Sequence, residues 1–173
     1  MKGRREALKV FGGLLLACML FFAACRREAS HSEFFQKIFK EEAGGTFRGV
    51  DLGTDLLEAQ KKEATAPKHD DQWGFVYEYG LGDKRRFFLE YICRDPKVRK
   101  VNAIVVNIFL EEKSESSDLF AEIETYLRNR YGVADGNLGN LKWQDDELNL
   151  LVALRMLDDK KSISLNYGSI QPL

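Results

Sequence analysis

Phe75-Val76-Tyr77-Glu78-Tyr79, Arg86-Phe87-Phe88-Leu89-Glu90-Tyr91-Ile92-Cys93 and the run from 98 to 110 are dense in aromatic and β-branched residues. That composition suits a pleated, half-buried surface. Between the runs lie Gly80-Leu81-Gly82-Asp83-Lys84 and Asp95-Pro96, both turn chemistry, so the stretch reads as an antiparallel meander. Phe87 and Phe88 are adjacent. Neighbours along a strand point to opposite faces, so one belongs on a covered side of the sheet and the other on an open side.

Further strands are expected downstream. They are 139–145 around Trp143, 148–157 with Leu148, Leu150, Val152, Leu154 and Met156 on one face, and 162–168 with Ile163, Leu165 and Tyr167 inward. Before them, Ser116-Ser117-Asp118 reads as a helix start, Leu119, Phe120, Ile123 and Leu127 as its apolar face, and Tyr131-Gly132 as its end. A shorter helix is expected from Thr54 or Asp55 to a point before Pro67, after Phe47-Arg48-Gly49-Val50-Asp51-Leu52-Gly53 read as an extended lead-in. A third helix, 31–43, follows from the capping-box spacing of Ser30 and Glu33. Its apolar residues Phe34, Phe35, Ile38 and Phe39 fall on one face, opposite Lys37, Lys40, Glu41 and Glu42. Docking on the protein's own core fits this helix better than lying on a membrane, because a membrane-surface helix needs a cationic polar face.

Residues 54–168 therefore read α-β-β-β-α-β-β-β. The expected class is α+β: an antiparallel sheet of about six strands with helices on one face, preceded by the short amphipathic helix. Thr54-Asp55-Leu56-Leu57 and Ser117-Asp118-Leu119-Phe120 open the two halves alike, and Trp73 and Trp143 stand near their first strands. This suggests two αβββ repeats, although Ser/Thr-Asp is also what any helix start prefers. The order of elements resembles small α+β envelope domains of the beta-lactamase-inhibitor-protein type. The lead-in resembles the Phe-x-Gly-(Val/Ile)-x-Leu-Gly segment of envelope lipoprotein domains.

The whole chain has 173 residues, 45% hydrophobic and 31% charged, enough for one domain with a real core and unlike a disordered chain. Lys and Arg number 26 against 27 Asp and Glu, and so balanced a charge argues against nucleic acid as a partner. The N-terminus is different. Lys2, Arg4, Arg5 and Lys9 precede the uncharged run 10–24, the pattern of a secretory signal peptide covering 1–24. The run stops at Arg26-Arg27, short of the ~20 apolar residues that span a bilayer.

Phe22-Ala23-Ala24-Cys25 resembles the lipobox of bacterial lipoproteins. The resemblance implies cleavage before Cys25 and a diacylglyceryl lipid on its sulfur. Leu15-Leu16-Ala17-Cys18 also has the lipobox letters, but cleavage there would leave a stump of the apolar run behind. Arg4-Arg5-Glu6-Ala7-Leu8-Lys9 resembles a twin-arginine export signal, so general and twin-arginine routes both stay open. Arg26 rather than aspartate after the lipidated cysteine implies the outer membrane over the inner, with the domain facing the periplasm. Removal of 1–24 leaves 22 Lys and Arg against 26 Asp and Glu, a net charge of −4. Residues 25–45 then form a tether with its helix, and 46–173 a single globular domain.

Chemistry is sparse. His69 with Asp70-Asp71 reads as a solvated loop rather than a metal site, since adjacent residues on a polar loop rarely converge on one ion. Cys93 alternates with Tyr91 and Leu89 and is expected buried. Asp145-Asp146-Glu147 and Asp158-Asp159 sit at expected hairpin turns, where acids are ordinary. No cofactor or metal is implied. The candidate binding face is aromatic: Trp73, Tyr77, Tyr79 and Phe88. The expected function is a non-catalytic protein-binding or assembly role in the cell envelope, tethered to the membrane through the lipid on Cys25. The alternatives are an envelope hydrolase using dispersed carboxylates and an inhibitor of a secreted enzyme.

Overall fold

In the computed structural model, residues 31–40 and 43–171 are described. The signal segment 1–24, the anchor candidate Cys25 and the capping candidate Ser30 lie outside them. The described chain from Ser32 onward forms one compact unit. Its elements are α1 (Glu33–Phe39), α2 (Leu56–Lys62), β1 (His69–Asp71), β2 (Gly74–Gly82), β3 (Arg85–Ile92), β4 (Ala103–Phe109), α3 (Lys113–Tyr131), β5 (Asp135–Asn137), β6 (Asn140–Asp145), β7 (Leu150–Met156) and β8 (Ser162–Ser169).

Each expected strand is present, but the sheet has eight strands rather than about six. The additions are β1 and β5, three residues each and exposed throughout. Their sequences, His-Asp-Asp and Asp-Gly-Asn, carry no apolar alternation from which a strand could be read. Both lie at the outer edges of the order β1-β2-β3-β4-β8-β7-β6-β5, where short, charged strands discourage edge-to-edge pairing. The two halves are therefore four-strand meanders, each preceded by a helix and joined through their last strands, β4 and β8, in antiparallel register. The expected three-strand repeat is corrected to four. The tryptophans do not occupy matching places: Trp73 is exposed in the β1–β2 turn, whereas Trp143 is buried on β6.

Register fixes which side chains share a face. Tyr91 pairs Ile104, which pairs Tyr167, which pairs Val152, which pairs Trp143. All five are buried, and with Phe87, Leu89, Val106 and Leu165 they make the inner face. Helix α3 covers its β6 and β8 side with Leu119, Phe120, Ile123 and Leu127. The helix begins at Lys113, earlier than the Ser116-Ser117-Asp118 signal suggests, because Glu112 and Glu115 form the capping box.

Helix α1 is shorter than the expected 31–43, and Ser32 rather than Ser30 caps it, accepting from the Phe35 N–H at 3.2 Å. So short a helix is unstable alone; burial of Phe35, Ile38 and Phe39 supplies roughly 1.5–3 kcal/mol per side chain. Phe35 and Phe39 stack at 4.2 Å and both meet Tyr126 of α3 edge-on. Ser32 donates from its amide and hydroxyl to Glu122 at 2.7 and 2.6 Å. The helix is docked on the core, as its charge pattern suggests, and belongs to the same compact unit as the sheet rather than to a separate tether ending at 45.

Candidate functional site: a buried ionic knot behind an open sheet face

The stretch Phe47–Val50 is not extended. Phe47 and Val50 exchange backbone hydrogen bonds at 3.0 Å in both directions around Arg48 (φ 52°) and Gly49 (φ 82°). Positive φ at both central residues is the mirror-image turn that suits a tight hairpin. A Cβ on Gly49 would meet the Ala43 carbonyl oxygen at 3.1 Å, so glycine fits this position for two reasons. The turn aims Arg48 inward, where its side chain is 1% exposed and that of Glu63 0%.

Arg48 binds Glu63 with both ends of its fork, Nε to Oε1 at 3.1 Å and Nη2 to Oε2 at 2.8 Å. Its Nη1 donates to the Lys37 and Ile38 carbonyls of α1 at 2.9 and 3.0 Å. The guanidinium also lies 4.9 Å from the Tyr79 ring centre and 5.7 Å from that of Phe87. Glu63, immediately after α2, accepts from Tyr79 Oη at 2.6 Å and Tyr91 Oη at 2.7 Å, with Lys40 Nζ at 3.7 Å. One knot thus ties α1, the end of α2, β2 and β3 together. Burial by itself raises the Glu63 carboxyl, but Arg48, through hydrogen bonds and charge, outweighs it with help from Tyr79 and Tyr91, and the group titrates below its ordinary value.

Tyr77 stands beside this knot without joining it. Its hydroxyl is buried with no hydrogen-bond partner among the described residues. Burial and the nearby Glu63 charge push its pKa up to about 12. Removing an unsatisfied hydroxyl removes its desolvation cost, whereas removing a bonded one leaves its partner short. Tyr77→Phe is therefore expected to leave the thermal midpoint unchanged or raise it. Tyr91→Phe, which takes a donor from Glu63, is expected to lose about 1–3 kcal/mol. Paired thermal melts check the contrast.

The other face of the sheet carries no described helix. Val76, Glu78, Arg86, Phe88, Glu90, Ile92, Val105, Asn107 and Phe109 alternate with core residues, and every one is partly or fully exposed. Phe88 and Phe109 meet edge-on at 5.8 Å. Lys68 and Arg86 lie over the Phe88 ring at 5.4 and 5.8 Å, and both also pair with Glu78. Aromatic rings beside cations at an exposed site are the residue types that anchor protein interfaces.

The four aromatic candidates do not share one surface. Phe88 is on the open face, Trp73 is exposed in the β1–β2 turn, and Tyr77 and Tyr79 point to the helix-covered side. Arg48 and Glu63 escape sequence reasoning because no periodic pattern links an arginine in a turn to a carboxylate 15 residues later. The other chemical candidates have local roles. Cys93 is buried and donates Sγ to the Asp95 carbonyl at 3.0 Å. His69 pairs with Asp71 at 3.1 Å on the edge strand. Asp145 and Asp159 accept turn amides, from Leu148 at 3.0 Å and from Lys161 and Ser162 at 2.9 Å. No protein-family model, curated protein or solved structure matches the chain.

Proposed function

We propose that this protein is a non-catalytic binding module of the bacterial cell envelope, held to the membrane by a lipid on Cys25 and presenting its open sheet face to a protein partner. The observation that carries the binding half of the reading is one-sided cover: α1, α2 and α3 pack on the inner face, and the face bearing Phe88, Phe109, Val105 and Ile92 is left to solvent by every described element. A broad surface of mixed apolar and charged residues suits docking better than catalysis, which needs converging groups in a cleft. The signal segment and Phe22-Ala23-Ala24-Cys25 support the anchor, and Arg26 favours the outer membrane.

The tether is short. From Cys25 to Ser32 the chain spans at most about 25 Å at ~3.5 Å per residue, and Ser32 enters on the helix-covered side. Fractionation of cells tests the anchor. The native chain is expected in the membrane fraction and Cys25→Ser in the soluble fraction, folded. Complete retention of Cys25→Ser in the membrane counts against a lipid tether.

A further inference from the structure

The open face is divided along the seam between β4 and β8, and its halves differ in relief and charge. On the β3–β4 side stand bulky groups, Phe88, Phe109 and Val105, together with Glu90, a carboxylate with no ion pair among the described residues. Across the seam Gly168, Ser164 and Ala153 are small, Leu151 is the one large apolar side chain of β7 on this face, and the cations Lys142 and Arg155 also have no ion pair among the described residues. Register places Glu90, Val105, Asn166, Ala153 and Lys142 in one row across the sheet, and Phe88, Asn107, Ser164 and Arg155 in the next.

We propose that this face docks on the same face of a second copy of the chain, related by a two-fold axis along the β4–β8 seam. The proposal rests on reading the open face as a protein-docking surface and names its partner. Such an axis lays β3 of one copy over β7 of the other and β4 over β8, row on row. Glu90 then lies over Ala153 of the second copy, flanked by that copy's Lys142 and Arg155, while Phe88 meets Arg155 and Val105 lies over Asn166. In these two rows bulk meets small side chains and anion meets cation, twice by symmetry, and in the row beyond Glu90 the apolar Ile92 meets Leu151. An axis across the strands would instead set each half on its own kind and separate Glu90 from both cations.

The area is adequate. Strands β2, β3, β4, β8, β7 and β6 at ~4.8 Å spacing, each about seven residues at ~3.4 Å, offer roughly 700 Å² per copy. A standard stable interface takes about 800 Å² per partner. Face-to-face packing of twisted sheets at about 30° keeps the facing strands in contact along the seam.

Charge reversal tests the arrangement on the full chain, extracted from membranes in mild detergent and examined by analytical ultracentrifugation. The native protein is expected to be a dimer, and Glu90→Lys to weaken it roughly tenfold or more. Lys142→Glu with Arg155→Glu is expected to do the same, and all three changes together to restore it. The residues are at the surface, and unchanged thermal melts confirm that each variant is folded. A dimer indifferent to every reversal overturns the proposal. A native monomer whose open face cross-links in cells to a different protein overturns the second copy as partner and leaves the docking surface standing. A native monomer whose open face cross-links to nothing overturns both.

Discussion

Glu63→Gln is expected to destabilise the fold by about 3–5 kcal/mol, because it leaves the Arg48 guanidinium buried without its counter-charge. The substitution keeps the size of the side chain, so packing of α2 on the sheet is unaffected and the loss isolates the charge. Arg48→Met is expected to do comparable damage from the other side, leaving the buried Glu63 with the Tyr79 and Tyr91 hydroxyls as donors and only the Lys40 ammonium, at 3.7 Å, as counter-charge. Replacing both, Arg48→Met with Glu63→Leu, is expected to recover part of the loss, since a buried pair exchanged for apolar groups is often near neutral, while the Tyr79 and Tyr91 hydroxyls lose their acceptor. Urea denaturation of the three variants reads out the cycle, and additive losses would mean that the pair is not coupled.

The same knot makes stability depend on acid. The Glu63 carboxyl is held below its ordinary value in the folded state, so its contribution is fully present above the ordinary carboxylate pKa of ~4.3 and is lost as pH falls through the lower folded value. The native chain is therefore expected to weaken over that acid range more steeply than Glu63→Gln.

Gly74→Ala has the second large effect. A Cβ there would lie 2.0 Å from the Tyr91 carbonyl oxygen, at a φ of +153°. The obstacle is backbone in the adjacent strand, so it cannot swing aside as a flexible side chain would. A loss of about 3 kcal/mol or more is expected, with disturbed pairing of β2 on β3. Gly80 supplies the control within the same strand, because a Cβ there meets nothing within 4 Å. Gly80→Ala is expected to be nearly neutral, and equal thermal midpoints for the two variants would contradict this account of Gly74.

Much of the fold is legible in the chain because the inner face follows simple alternation. Of the expected 148–157 run, Leu150, Val152 and Leu154 are buried on one side of β7 and Met156 partly so, whereas Leu148 lies in the turn before the strand and is exposed; the α3 stripe is buried as its spacing dictates. Local chemistry misleads where a longer-range partner decides. Phe47-Arg48-Gly49-Val50 reads as extended by composition, yet Arg48 adopts positive φ, and its guanidinium ends on Glu63 and the α1 carbonyls. Adjacent Phe87 and Phe88 correctly announce two faces, one buried and one partly exposed. Which of the tyrosines turns inward depends on strand phase, and the sequence alone does not set that phase against a helix layer. Tyr77 and Tyr79, candidates for the binding surface, thus stand beside the ionic knot, with Tyr79 bonded to Glu63.

Cross-linking in living cells tests the central claim most directly. A photo-reactive residue is placed on the open face at Asn107 or Phe88, and in parallel on exposed helix-side positions, Lys61 and Thr125. The account predicts a discrete protein adduct from the open-face positions and none from the helix side. Adducts from Lys61 or Thr125, with none from Asn107 or Phe88, would contradict it and move the docking surface to the helices.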